Sequence, residues 1–377
     1  MYEARNIISM IKKAFKISLS VLFVGAASGL IACTTTPLEE STGEEQAGEN
    51  SQESSDPATP GDTSDPTSPD TSDASDTSDA ADVSDASDSS DPDNGGEPWV
   101  SPESLTERQT LSHDGLSRRY FLHVPENLPQ YAPLVIVMHG YTGSANNIMN
   151  YSGMNQVADE NGFVVAYPQG TRDDSNNRFF NVGYDFHGDV QVDDVGFIKE
   201  IISSLRQTYS LSETNVFATG MSNGADMSYL LACEASDVFK AIAPVAGMIL
   251  QSIYDRCEPQ SPMPVFEIHG TEDYVTYWEG DMDNDDGWGA YPDMRTMIDF
   301  WVNLNGLEQS ETTDIEDTNT NDGSSVVFER YWSDSTVNEV WFYKVMGGGH
   351  DWPGAEGNMD IDSSTDMWMF FSKYLED

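Results

Sequence analysis

The chain predicts an α/β fold, a mostly parallel sheet covered by helices on both faces, confined to residues 99–377. Three observations predict it. Runs at 134–138 (LVIVM) and 163–167 (FVVAY) are apolar along their whole length, as in strands buried on both faces. Such runs alternate with segments of helical spacing, which is the order of a parallel sheet with crossover helices. Composition also changes at Trp99, since all eight Trp lie from there onward.

The elements follow in order. A strand is expected at 120–124, then the apolar runs at 134–138 and 163–167. Residues 197–205 have helical periodicity, with Asp194 as N-cap. A strand at 216–219 leads into a helix through 227–231. Strands at 241–246, 265–269 and 340–345 and a closing helix near 363–375 complete the set.

The first 98 residues belong to no such pattern. Lys12, Lys13 and Lys16 precede a short apolar stretch at 17–30, the layout of an export signal, too short to span a bilayer. Residues 30–33, Leu-Ile-Ala-Cys, resemble a bacterial lipobox. That resemblance implies cleavage before Cys33, its lipidation, and membrane association only through that anchor. The expected location is the cell surface, the outer membrane or the medium. Residues 34–98 hold 19 acidic residues, no Lys or Arg and no aromatic residue, with Ser-Asp pairs recurring every three residues. Such a segment cannot bury enough apolar area to offset ordering entropy, so it reads as a disordered tether. The expected organisation is a signal at 1–33, a tether at 34–98 and one folded domain at 99–377.

That domain carries 45 acidic and 13 basic residues, net −32 of the chain's −48. A field of this sign repels phosphate backbones and excludes a nucleic-acid partner.

The chemistry centres on residues 220–224, Gly-Met-Ser-Asn-Gly. They follow an apolar strand and open a helix, the context that gives G-x-S-x-G its meaning. Glycines let the chain turn sharply, and Ser222 is held with its hydroxyl exposed. A serine hydroxyl needs a base, usually His. Of six His, His350 sits on a loop after the last strand, behind Gly347, Gly348 and Gly349. The acid falls between Ser and His in chain order, where Glu272 and Asp273 follow the 265–269 strand. Asp273 is preferred; its task is to fix the imidazole tautomer. The oxyanion needs two donors: the backbone N–H of Asn223, and that of Tyr141 in the loop that follows His139 and Gly140. His139 is read as a structural loop residue.

Seven motifs together resemble the polyhydroxybutyrate depolymerase/feruloyl esterase family, grouped with the family 1 carbohydrate esterases. They are residues 137–140 (VMHG), 192–198 (VDDVGFI), 220–224, 231–234 (LACE), 243–247 (APVAG), 269–273 (HGTED) and 348–354 (GGHDWPG). The resemblance spans about 105–375 and implies an α/β-hydrolase fold and a serine esterase acting on polymeric or oligomeric esters without cofactor or metal. It implies Ser222 as nucleophile, Asp273 as acid, His350 as base, and a Cys233–Cys257 disulfide. Cysteine counting agrees, because lipidation of Cys33 leaves two for an oxidising compartment. A non-catalytic binding protein on the same scaffold is the alternative, disfavoured because all three triad positions are filled.

Residues 281–287 and 308–325 look unlike that family. Asp281 to Asp286 have spaced oxygen ligands, but the Gly falls one place late for an EF-hand and no Glu closes the loop, so a solvated acidic loop is the reading. Trp278, Trp288 and Trp352 flank the triad loops; Trp278 and Trp352 are taken as substrate-stacking residues.

Overall fold

The computed structural model describes residues 99–376; the signal, Cys33 and the tether lie outside the described residues. Ten strands form one sheet in the order β1-β2-β4-β3-β7-β8-β9-β12-β11-β10. The chain begins with the hairpin β1 (Leu105–His113) and β2 (Leu116–Val124). The six central strands are β3 (Leu134–Met138), β4 (Val164–Pro168), β7 (Val216–Met221), β8 (Ala241–Val245), β9 (Val265–Gly270) and β12 (Thr336–Met346). They run parallel. The hairpin at one end and β10 (Gln309–Asp314) with β11 (Ser325–Ser333) at the other add antiparallel edges. A separate ribbon pairs β5 (Thr171–Arg172) with β6 (Arg178–Phe179).

The central strands are buried on both faces, as their unbroken apolar runs require. In β3, Leu134, Ile136 and Met138 enter one core cluster, while Val135 and Val137 enter the other. The first cluster also takes the apolar faces of α3 (Asp194–Tyr209), α4 (Asn223–Glu234) and α6 (Met294–Leu304). The second takes those of α1 (Ala145–Ser152), α2 (Met154–Asn161) and α7 (Ser363–Ser372).

Two details differ from expectation. The cap of α3 is Asp193, whose side chain accepts from the Gly196 N–H at 2.7 Å. Asp194 is the first helical residue and is buried, paired with Arg118 at 2.5 Å. Either aspartate suits the motif; the one just outside the helix accepts from the free N–H, and its neighbour turns inward to a buried guanidinium. The acidic stretch 308–325 carries strand β10, which pairs with β11 along Gln309–Asp314.

Among the described residues, no helix is long and apolar enough to cross a membrane. Cys233, at the end of α4, is disulfide-bonded to Cys257, with Cα atoms 4.9 Å apart. Cys257 follows the short helix α5 (Gln251–Tyr254).

Candidate active site

Strand β7 ends at Met221 and α4 begins at Asn223, leaving Ser222 alone in the turn. Its backbone sits at φ 56° and ψ −122°, a conformation L-residues rarely hold unless their surroundings impose it. The restraint is visible: the Ser222 N–H donates to the Val245 carbonyl of β8 at 2.9 Å, and its own carbonyl accepts from Ala225 and Asp226. Gly224 sits where a Cβ would lie 2.3 Å from the Met138 carbonyl oxygen, so only glycine lets α4 pack against the end of β3.

Asn223 and Tyr141 are the expected oxyanion donors. Asn223 opens α4, so its N–H has no intrahelical acceptor. Its buried side chain accepts from the Phe180 N–H at 2.7 Å and donates to the Phe180 carbonyl at 2.9 Å. This clamp, invisible in the five-residue motif, fastens the segment after β6 to the elbow. Tyr141 follows Gly140, which approaches Ser222 closely. A Cβ at position 140 would lie 3.3 Å from Ser222 Cβ and 3.8 Å from its Oγ. No hydrogen bond from the Tyr141 or Asn223 N–H is found among the described residues.

The loop around Gly140 is set by His139. His139 is buried, and its Nε2 accepts from the Gly170 N–H at 3.0 Å, while Nδ1 meets the Gly140 carbonyl at 2.8 Å. Burial pushes its pKa down to about 4, so the ring is neutral in the working range. It is a structural residue, as expected.

Asp273 lies on the loop after β9 and His350 on the loop after β12, two neighbouring parallel strands. His350 Nδ1 is 2.7 Å from Asp273 Oδ2, and Asp273 is buried. The other carboxylate oxygen accepts from the N–H groups of Val275 and Thr276 at 2.8 and 2.9 Å. Glu272, the alternative acid, is exposed. Two strands, β8 and β9, separate β7 from β12, a span of about 14 Å. The His350 loop meets α1 through Tyr151, whose hydroxyl accepts from the Trp352 N–H at 3.3 Å. Tyr151, Gly140 and Met221 line one cavity of about 600 Å³, with Ser144, Asn146, Asn147 and Asn150 on its wall. Among the described residues no hydrogen bond joins the Ser222 hydroxyl to His350. In enzymes without substrate such bonds are often long and tighten on binding.

The tryptophans are redistributed. Trp352 is 1% exposed and belongs to the core cluster on the α7 face, so it is not a substrate-stacking residue. An indole this large buries readily, and its place one turn beyond His350 let core and cleft be confused. Trp278 is half-buried and stacks on Phe342, ring centres 5.7 Å apart. It backs the Asp273 loop. Trp288 is the tryptophan beside the oxyanion loop, edge-on to Tyr141 at 5.5 Å and to Phe186 at 5.2 Å. Phe186 is 47% exposed. In the acidic loop, both oxygens of Asp281 accept from the Asp285 and Asp286 N–H groups, so that carboxylate closes its own turn. Among the described residues, the group with ligand atoms close enough for a metal is His113, Asp114 and Asp193, beside the cap of α3.

Poly(3-hydroxyalkanoate) depolymerase C of Paucimonas lemoignei is 26% identical over 269 residues, 66% of this chain and 62% of that protein. Feruloyl esterase B of Piromyces equi is 30% identical over 151 residues, 40% of this chain and 27% of that protein. The chain thus spans less than two thirds of either relative. Among solved structures, an acetyl xylan esterase from Aspergillus awamori is 16% identical with a TM-score of 0.49, covering 71% of this chain and 99% of that one. The family described as esterase PHB depolymerase matches residues 117–310. With its α/β-hydrolase sheet and the match over half its length, the chain belongs to the esterase PHB depolymerase family.

Proposed function

We propose that the chain is a serine esterase that cleaves carboxylic esters through an acyl-enzyme, with Ser222, His350 and Asp273 as its triad. The observation that carries this reading is the 2.7 Å Asp273–His350 pair at the same rim as a serine held at φ 56°. Asp273 keeps the proton of His350 on Nδ1, which leaves Nε2 as the acceptor. Nε2 takes the Ser222 proton as Oγ attacks the ester carbonyl. The tetrahedral oxyanion is received by the N–H groups of Tyr141 and Asn223. His350 then protonates the departing alcohol. Water, deprotonated by His350, attacks the acyl-enzyme, and the carboxylic acid leaves with Ser222 restored.

The cavity of about 600 Å³ beside Gly140 and Met221 supports a compact alcohol or acyl group, and its uncharged amides support a hydroxylated one. We therefore expect soluble feruloyl or acetyl esters to be cleaved faster than a poly(3-hydroxybutyrate) film. The lipobox resemblance supports export with a lipid on Cys33, which Cys33→Ser tests by releasing the protein from membranes.

The decisive test is Ser222→Ala. Hydrolysis of p-nitrophenyl acetate is expected to fall by more than about 10⁴-fold with the fold retained. Turnover surviving in that variant overturns the reading.

A further inference from the structure

Behind Asp273 lies a buried chain of polar side chains that the acyl-transfer scheme leaves unused. Glu267, on β9, is fully buried. Its Oε2 accepts the Tyr229 hydroxyl of α4 at 2.6 Å, and its Oε1 lies 3.1 Å from His269 Nδ1. His269 stands two residues further along β9, on the same face, and is buried as well. Its Nε2 is 3.0 Å from the Thr276 carbonyl and 3.7 Å from Asp273 Oδ2. A carbonyl oxygen only accepts, so Nε2 carries a proton. Nδ1 and Glu267 Oε1 share one further proton; with the Tyr229 hydroxyl already donating to the Glu267 carboxylate, that proton is assigned to the ring, which makes His269 an imidazolium.

The charges agree. Burial lowers the His269 pKa, but the hydrogen bond and field of Glu267, with Asp273 behind them, more than reverse this; burial also raises the Glu267 pKa, against the hydrogen bond and field of His269 and the Tyr229 hydroxyl, so the pair holds its proton tightly. A carboxylate in the core needs such a partner, since an unpaired buried charge costs several kcal/mol. The other neighbours of the pair bring no second cation. The Trp278 ring lies edge-on at 6.2 Å, Asp226 of α4 adds negative charge, and Lys344, beside His269 in the β12 register, is drawn away to Glu329.

We propose that Glu267 and His269 are positioning residues for Asp273, presenting an imidazolium edge that holds Oδ2 on His350 Nδ1; the inference rests on the triad proposed above. Two main-chain N–H groups fix Oδ1, so Oδ2 is the oxygen left to choose a direction. The cation also offsets part of the carboxylate field that favours protonation of His350; Asp351, beside His350, adds to that field with or without the cation. Removing it makes His350 easier to protonate. Since the base must be neutral to act, the acid limb of the kcat/KM profile moves to higher pH.

The test is Glu267→Gln, nearly the same shape without the charge, assayed on p-nitrophenyl acetate with Ser222→Ala alongside. The expected result is kcat lowered about tenfold, KM unchanged, and the acid limb raised by about half a pH unit. A parent-like profile overturns the proposal. So does a lowered kcat with an unmoved limb, because packing alone explains that. Should Glu267→Gln fail to fold, His269→Gln removes the ring that carries the charge and is held to the same limb shift. A dead Ser222→Ala beside a parent-like Glu267→Gln overturns this inference alone, whereas turnover in Ser222→Ala overturns the esterase reading itself.

Discussion

The Ser222 end of the proposed site and its His350 end are built differently. Around Ser222 the restraints are backbone and glycine: the Val245 carbonyl, the close approach of Gly140, and the contact of Gly224 with Met138. Around His350 they are buried titratable side chains: Asp273, His269 and Glu267 in sequence, each wholly or nearly enclosed. One end is positioned by volume and should fail when atoms are added. The other is positioned by charge and should fail when charge or pH is changed.

The largest expected effect breaks the first kind. In Gly224→Ala the new Cβ meets Met138 main-chain atoms at 2.3 and 2.6 Å, which no rotamer relieves. We expect a loss of about 3 kcal/mol or more, read from the denaturant midpoint. A loss of similar size follows from replacing Cys233 and Cys257 by Ser. Opening that 24-residue separation costs about 3 kcal/mol in the chain-entropy model, yet the elbow is held by other bonds. The midpoint should drop while kcat at low temperature persists; a dead but folded variant would show that the disulfide shapes the site.

Gly140→Ala sharpens the comparison further, because its Cβ crowds Ser222 without striking backbone closer than 3.4 Å. Activity should fall about tenfold with the melting temperature within a degree or two. The smallest effect concerns a carboxylate on the nucleophile side. Asp226, on α4, accepts from the Tyr184 hydroxyl and the Met248 N–H, and burial pushes its pKa up to about 7. A carboxyl that binds its proton more tightly when folded stabilises least once pH exceeds its folded value. Parent stability should therefore decline relative to Asp226→Asn as pH rises from about 4 to 7. Equal stability differences across that range would show that Asp226 ionises as freely in the fold as out of it.

The same division explains what the sequence revealed. The central strands and the elbow were legible because burial on both faces leaves an apolar run, and a tight turn leaves glycines. His350 and Asp273 were legible from their place after strands. The edges were not: β1 and β10 expose most of their side chains, so no apolar run marks them. The Asn223–Phe180 clamp joins residues 43 apart, and no local pattern encodes it. Glu267 was hidden for the opposite reason. A carboxylate inside an apolar strand has meaning only once Tyr229, 38 residues earlier, and His269 are seen beside it. Trp352 was misread because an aromatic beside a catalytic loop packs inward as readily as outward.

The central claim, that residue 222 is a nucleophile activated by His350, is tested most directly by mapping a fluorophosphonate adduct. Parent protein treated with the probe and digested should carry one adduct, on the peptide containing Ser222, with Ser222→Ala unlabelled and His350→Ala labelled far more slowly. An adduct on another residue, or a folded parent that takes none, contradicts it.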